Sequence, residues 1–386
     1  MTHPKEEPQE TTTKMSVEGT AHQEKPKTMV INDMEVANRP PSTTDVTDDL
    51  KQIGPYRIIK VIGFGGVGTV YEAVDHIINR PVALKVLNKK WLQDDIVKER
   101  FMREARLCAM IKSPHVPLVH AVGEDKGIPY LAMELLNGFT LDHLLKTNHQ
   151  FSIMQITRLG REIAKGLSAA HAMKLIHRDI KPSNIWLETL ADPTGGDRKM
   201  FRVKILDFGM ARLQEQTQGL TRHGVIVGTP LYMSPEQATS GKVDARSDLF
   251  SLGIVLYRLC TGKLPFPGET VADVISKLAT QDAPTVKEVS PHTPTKLSRL
   301  IERMMKKDPK DRPPDAMNVA RLLEIIEAEE QASPTPAPKP IKEELSSPTV
   351  VLPQLVNPLK PWLIASVVLN VVLLMALVFM LGFLLK

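Results

Sequence analysis

The sequence predicts an α+β chain: a β-rich segment first, a longer helical segment after it, and one apolar stretch near the C-terminus. Three observations carry this. Between Tyr56 and Lys85, β-branched and aromatic runs alternate with glycines and turn residues, the texture of paired strands. Over residues 151–174, and again from Ser247 to about Glu327, apolar residues recur at helical spacing. Residues 362–385 carry no charge and a single amide, Asn370, which suffices to span a bilayer.

At 386 residues the chain has room for about two domains with tails. Its 30 prolines gather toward the two flanks. Cys108 and Cys260, the only 2 cysteines, form no bridge framework and no metal-ligand spacing, which points to a reducing compartment. The net charge of +5 hides an asymmetry, because residues 1–50 hold 5 basic against 10 acidic side chains. The remainder is therefore basic, near +10. No aromatic-basic platform or zinc knuckle accompanies that charge, so nucleic acid is not the expected partner. A phosphate-bearing ligand or an anionic membrane face fits better. Residues 1–50, rich in Thr, Glu, Pro and Lys, are expected to be disordered and hold no signal-peptide core.

Along the chain, Tyr56–Ile62 reads as a strand and runs into Gly63-Phe64-Gly65-Gly66-Val67-Gly68. Dinucleotide folds use a similar glycine pattern, but there it opens a helix. Here Thr69-Val70-Tyr71-Glu72-Ala73-Val74 follows and suits a second strand. Such a hairpin presses backbone N–H groups onto phosphates without side-chain interference. The next strand ends in Val82-Ala83-Leu84-Lys85, and helical spacing runs from Trp91 to Ile111, with Pro114 and Pro117 beyond it. Two further strands lead to Met133-Glu134-Leu135-Leu136.

The densest chemistry lies in His177-Arg178-Asp179-Ile180-Lys181-Pro182-Ser183-Asn184. Asp179 can accept a proton, Lys181 can sit on a transferring phosphate, and Asn184 can hold a divalent metal. A polar insert within residues 188–202 reads as the loop of an extended hairpin. Strand Val203–Leu206 then delivers Asp207-Phe208-Gly209, and about 30 residues separate Asp207 from Ser234-Pro235-Glu236. That spacing is long for a plain loop.

Taken in order, these motifs resemble the protein kinase family across residues 56–327. The phrase Tyr232-Met233-Ser234-Pro235-Glu236-Gln237, with a C-terminal span, looks like the eukaryotic-like serine/threonine kinases of bacteria. Ile180 replaces the usual leucine and Ser234 the usual alanine, and no catalytic position is lost. The resemblance implies a bilobal fold, with an N-lobe sheet plus one helix and a mostly helical C-lobe. It also implies ATP with Mg²⁺, or Mn²⁺ as the alternative. Ile62, Gly63, Phe64, Gly65, Gly66, Val67, Gly68 and Val70 would cover the nucleotide. Lys85, held by an ion pair to Glu104, would position the α- and β-phosphates. Ala83, Met133, Glu134 and Leu136 would surround the adenine, with Trp186 as its aromatic floor. Asn184 and Asp207 would hold the metal, Asp179 would take the substrate proton, and Lys181 would stabilise the γ-phosphoryl.

Arg178 would clamp a phosphothreonine at Thr221 or Thr217, while Thr229 would contact Asp179 and Lys181. Glu236 and Arg312 would form a buried brace, and Asp248 would bond the catalytic loop from below. The implied layout is a tail over 1–50, a kinase domain over 56–327, a Pro-rich linker over 331–360 and a transmembrane helix over 362–385. This arrangement puts the kinase domain on the cytoplasmic side of the inner membrane. Its partners would be ATP, protein Ser/Thr hydroxyls, the lipid bilayer and, for phosphorylation in trans, a transient homodimer. A membrane-tethered pseudokinase scaffold is the rival, and intact Lys85, Asp179 and Asp207 speak against it. A small-molecule phosphotransferase would not need the long segment before Glu236.

Overall fold

The computed structural model describes residues 50–147, 149–190, 200–208, 230–239 and 241–332. The expected tail over 1–50 lies outside the described residues but for Leu50. Thr217, Thr221, Thr229 and the apolar stretch 362–385 lie wholly outside them. Among the described residues, no helix is long and apolar enough to cross a membrane.

Six antiparallel strands form the first lobe in the order β1-β2-β3-β4-β6-β5. They are β1 (Gln52–Ile53), β2 (Tyr56–Phe64), β3 (Gly68–Asp75), β4 (Arg80–Leu87), β5 (Val119–Asp125) and β6 (Ile128–Glu134). Strand β1, absent from the sequence reading, pairs Ile53 with Tyr56, and both are buried under the sheet. Alternation along β3 puts Tyr71 and Ala73 in the core.

Helix α1 (Asp95–Ala109) packs against β5 and β6. Its start differs from the helical reading at Trp91, because Asp94 caps it by accepting from Val97 N. Trp91 instead sits in a short 3₁₀ turn, Lys89–Trp91. The buried stripe of α1 is Val97, Phe101, Glu104, Ala105 and Cys108. Glu104 is the one carboxyl-bearing residue on that stripe, and such a position calls for a charged neighbour.

A small second sheet, β7 (Gly138–Thr140), β8 (Ile185–Leu190) and β9 (Met200–Ile205), lies beyond β6, and its pairing reaches Leu190↔Met200. The polar insert itself, residues 191–199, lies outside the described residues, between these two paired strands. The helical lobe is built from α2 (Leu141–Lys146), α3 (Ile153–Ala172), α4 (Pro235–Ala238), α5 (Ala245–Thr261), α6 (Val271–Thr280), α7 (Val286–Val289), α8 (Thr295–Met304) and α9 (Ala316–Ala332). A Ser152/Gln155 capping box starts α3. Helix α5 is buried nearly all round, so its twelve buried residues include Asp248 as well as Phe250 and Leu252. Helix α9 continues past Glu327 into the stretch read as linker. Its last residues, Ala328-Glu329-Glu330-Gln331-Ala332, are strong helix formers, and Glu329 pairs with Lys296.

Candidate active site

The loop after α3 turns back on itself through a 3₁₀ turn, Pro182–Asn184, with proline at its first position. That turn returns Asn184 to Asp179. The Asn184 amide nitrogen donates to the Asp179 carbonyl at 2.7 Å and to its carboxylate at 3.0 Å. Lys181 Nζ lies 2.9 Å from the same carboxylate. Three residues expected to act together therefore converge. The Asn184 side-chain nitrogen is thus committed to Asp179, and no described residue donates to its side-chain oxygen.

Asp248 holds this loop from beneath, as expected. Fully buried, it accepts from His177 N at 2.9 Å and Arg178 N at 2.8 Å, and pairs with His171 Nε2 at 2.7 Å. Burial pushes the Asp248 carboxyl up, but His171 and His177 outweigh it, and the net shift is downward. His171 is thereby a polar partner of that carboxylate. His177 Nδ1 accepts from Asp179 N at 3.2 Å, which leaves Nε2 to donate to Leu206 O at 2.7 Å.

Arg178 and Asp207 occupy the left-handed region, with φ of 67° and 60°. Side chains rarely adopt it, and surrounding contacts must hold them there. For Arg178 one such contact comes from Gln237, whose amide donates to the Arg178 carbonyl at 2.7 Å. The same amide closes the Ser234 capping box of α4. Sequence reading missed this residue, although Ser-x-x-Gln is a capping signature. Gln237→Glu removes the donor at nearly constant shape. It is expected to lower turnover about fivefold, the value of one ordinary hydrogen bond, without moving the KM for nucleotide. Steady-state kinetics of the two proteins checks this.

Asp207 stands where β9 ends, and Lys85 Nζ reaches its carboxylate at 2.5 Å. Burial raises the Asp207 pKa, yet Lys85 and, more weakly, His177 and Lys181 bring it below the usual carboxylate range. Its side chain is still 43% exposed, so a cation can reach it. Glu104 is buried nearby on α1; together with Lys85 and Asp207 it acts on the Cys108 thiol, which burial pushes up to about 12. Cys108 is thus a neutral packing residue. Lys85, Asp207, Phe208, Met133, Leu131 and Cys108 line part of one cleft.

The residues expected around an adenine lie on β4, on β6 and just after it, and on β8. Ala83 is the cross-strand partner of Met133, and Val70 that of Lys85. Trp186 extends from β8, and its indole N–H lies 3.4 Å from the carbonyl of Asn137, just after half-buried Leu136. Ile62 and Phe64 at the glycine turn are about half exposed, whereas Val67 is buried. A β-carbon on Gly68 would come within 2.7 Å of the Val86 carbonyl, so that glycine is needed for close strand approach. One tie was not legible: the Glu134 carboxylate accepts from Leu118 N at 2.7 Å and pairs with buried Lys204 on β9, linking the end of β6 to the second sheet.

A carboxylate beside an amide oxygen is a donor set for a hard divalent cation. Asp207 and Asn184 supply those two groups, and their segments are joined where Leu206 N donates to the Asn184 backbone carbonyl at 2.8 Å. An arrangement of this type neutralises and aligns a polyphosphate.

Residues 56–322 match the protein kinase domain, and the chain belongs to the protein kinase family. Its domain is of the eukaryotic-like serine/threonine class found in bacteria. Serine/threonine-protein kinase PknL of Mycobacterium tuberculosis is 36% identical over 287 residues, covering 74% of this chain and 69% of that protein. PrkC of Bacillus subtilis is 33% identical over 256 residues, covering 66% of this chain and 38% of that one. Among solved structures, the M. tuberculosis PknI kinase domain superposes with a TM-score of 0.54 over 71% of this chain and 97% of its own, at 24% identity, a likeness of fold. Membership of the family implies ATP and a divalent cation.

Proposed function

We propose that the chain transfers the γ-phosphoryl group of ATP to serine and threonine hydroxyls of proteins, anchored to the cytoplasmic membrane through residues 362–385. In this reading autophosphorylation of the segment between Asp207 and Ser234 regulates it. The observation that carries the proposal is the convergence of Asp179, Lys181 and Asn184 within hydrogen-bond reach of one another. Asp179 orients the acceptor hydroxyl and takes its proton as the oxygen bonds to phosphorus. Lys181 offsets charge on the transferring group, and its place two residues after the aspartate suits serine/threonine rather than tyrosine acceptors. Lys85, steadied by an ion pair to Glu104, fixes the α- and β-phosphates under the glycine turn of residues 62–70. The strand end from Met133 to Leu136 holds the adenine between Ala83 and Trp186. Asn184 and Asp207 hold the divalent cation, which when bound supplies charge neutralisation at the bridging oxygens. Arg178 clamps the phosphate of Thr221 or Thr217 once it is attached.

Full-length chain incubated with labelled ATP, Mg²⁺ and a generic basic protein is expected to label itself and the acceptor. No incorporation into either overturns the proposal in favour of a scaffold. ATP is also expected to change Trp186 fluorescence. Phosphosite mapping that finds both Thr217 and Thr221 unmodified in active protein removes the regulatory part. Fractionation that recovers the chain away from membranes removes the anchor.

A further inference from the structure

We infer that Asn88 and Trp91, outside every motif described above, are positioning residues that aim the glycine turn at phosphate. The inference rests on the kinase reading and extends it to two side chains of the linker between β4 and α1. Trp91 Nε1 donates to the Gly66 carbonyl at 3.0 Å, and Asn88 Nδ2 donates to the Gly65 carbonyl at 3.0 Å. The Asn88 amide is itself oriented, because its oxygen accepts from Thr69 Oγ1 at 2.8 Å. The backbone takes part too, with Asn88 N donating to Val67 O at 2.9 Å. Two consecutive peptide carbonyls of the turn are therefore fastened to the linker.

In a planar trans peptide the carbonyl of one residue and the N–H of the next point in opposite directions. Fastening the Gly65 and Gly66 carbonyls thus turns the N–H groups of Gly66 and Val67 to the opposite face. Gly65 N is already spent on Gly68 O at 2.9 Å, whereas no described residue accepts from Gly66 N or Val67 N. Backbone donors without a partner are uncommon, and two successive ones facing one way form an anion-binding concavity. Glycine at 65 and 66 leaves this ribbon without side chains. The linker is a firm anchor: Trp91 packs on the apolar cluster of Val67, Val97 and Phe101, and Lys90 Nζ lies 5.3 Å from its ring. The turn is therefore set for phosphate before nucleotide arrives, and the setting depends on two N–H donors that never touch the ligand.

The test compares Trp91→Phe and Asn88→Asp with the wild-type full chain, with ATP and adenosine as probes. Phenylalanine keeps the apolar packing and removes the N–H. Aspartate keeps the acceptor for Thr69 and replaces the donor. Each variant is expected to weaken ATP binding about fivefold, the value of one hydrogen bond, and the double variant more. Adenosine, which has no phosphates, should bind all proteins alike. The KM for ATP should rise by the same factor, while kcat at saturating ATP and the KM for the acceptor protein hold. A structural defect would instead lower both affinities together, and that result overturns the inference. So does unchanged ATP affinity in both variants. A wild-type chain that binds adenosine and ATP equally removes the phosphate site itself, and one that binds neither removes the kinase reading beneath it.

Discussion

Asp179→Asn and Lys85→Met are each expected to lower phosphoryl transfer by on the order of a hundredfold or more, the usual cost of removing a positioned charge from a reacting centre. The two substitutions reach that result by different routes. Asparagine at 179 preserves the backbone carbonyl that holds the Asn184 amide at 2.7 Å, so the loop keeps its turn. It loses the carboxylate that pairs with Lys181 at 2.9 Å and that is proposed to take the acceptor proton. Methionine at 85 fills the volume of a lysine stem buried between β3 and β6, but it leaves the Asp207 carboxylate without its ammonium. The pKa of Asp207, now held low mainly by Lys85, rises in consequence. The Asp207 charge is partly exposed and can hydrate, whereas buried Glu104 loses its proposed partner, so a loss of thermal stability is expected beside the loss of turnover. Initial rates at saturating ATP, read beside thermal unfolding, check both. Turnover within about tenfold of wild type in either variant, with the protein folded, contradicts the assigned roles. It would move the chain toward the scaffold reading.

The motifs legible in the sequence are those whose function is local or whose partners are set by the polarity of a buried face. Eight residues from His177 to Asn184 suffice to bring a carboxylate, an ammonium and an amide together, because one 3₁₀ turn does the folding. Glu104 stands out as an ionisable residue on an apolar stripe of α1. Asp248 does so within the apolar helix α5. What was not legible depends on contacts that no period or spacing encodes. Glu134 and Lys204 meet although seventy residues separate them, since β6 and β9 belong to different sheets. Gln237 announces a helix cap, but its second bond, to the strained Arg178 peptide, appears only once α4 is docked beneath the loop. Trp91 read as the start of an amphipathic helix. Its indole N–H finds the glycine turn because Asp94 postpones the helix and leaves the tryptophan in a 3₁₀ turn.

Arg312→Met is expected to destabilise the chain by about 3–5 kcal/mol, the range for leaving one member of a buried ion pair alone. Arg312 is 2% exposed and meets Glu236 in a two-pronged pair at 2.7 and 2.8 Å. Its remaining donors are also used, on the carbonyls of Lys306, Lys307 and Arg246, and its guanidinium lies 4.9 Å from the Phe250 ring. Ser247 Oγ donates to the same Glu236 carboxylate at 2.5 Å. The pair thereby ties α4, which carries Gln237, to α5 and to the turn before α9. Burial raises the Glu236 pKa, and the bonds from Arg312 and Ser247 more than reverse it, so the net shift is downward. A group whose pKa is lower folded than unfolded adds stability above its unfolded value, and loses it as pH falls through the folded one. The brace is therefore complete at neutral pH and fails below the ordinary glutamate range. Methionine at 312 should remove that acid-side loss along with the stability, since the carboxylate no longer gains from ionising in the fold. Adding Glu236→Leu to Arg312→Met removes the stranded carboxylate and should recover part of the loss. Denaturant unfolding of the two variants at pH 7 and in mild acid checks the sign. A double variant less stable than Arg312→Met alone would show that the carboxylate stabilises the fold through Ser247 rather than through the arginine.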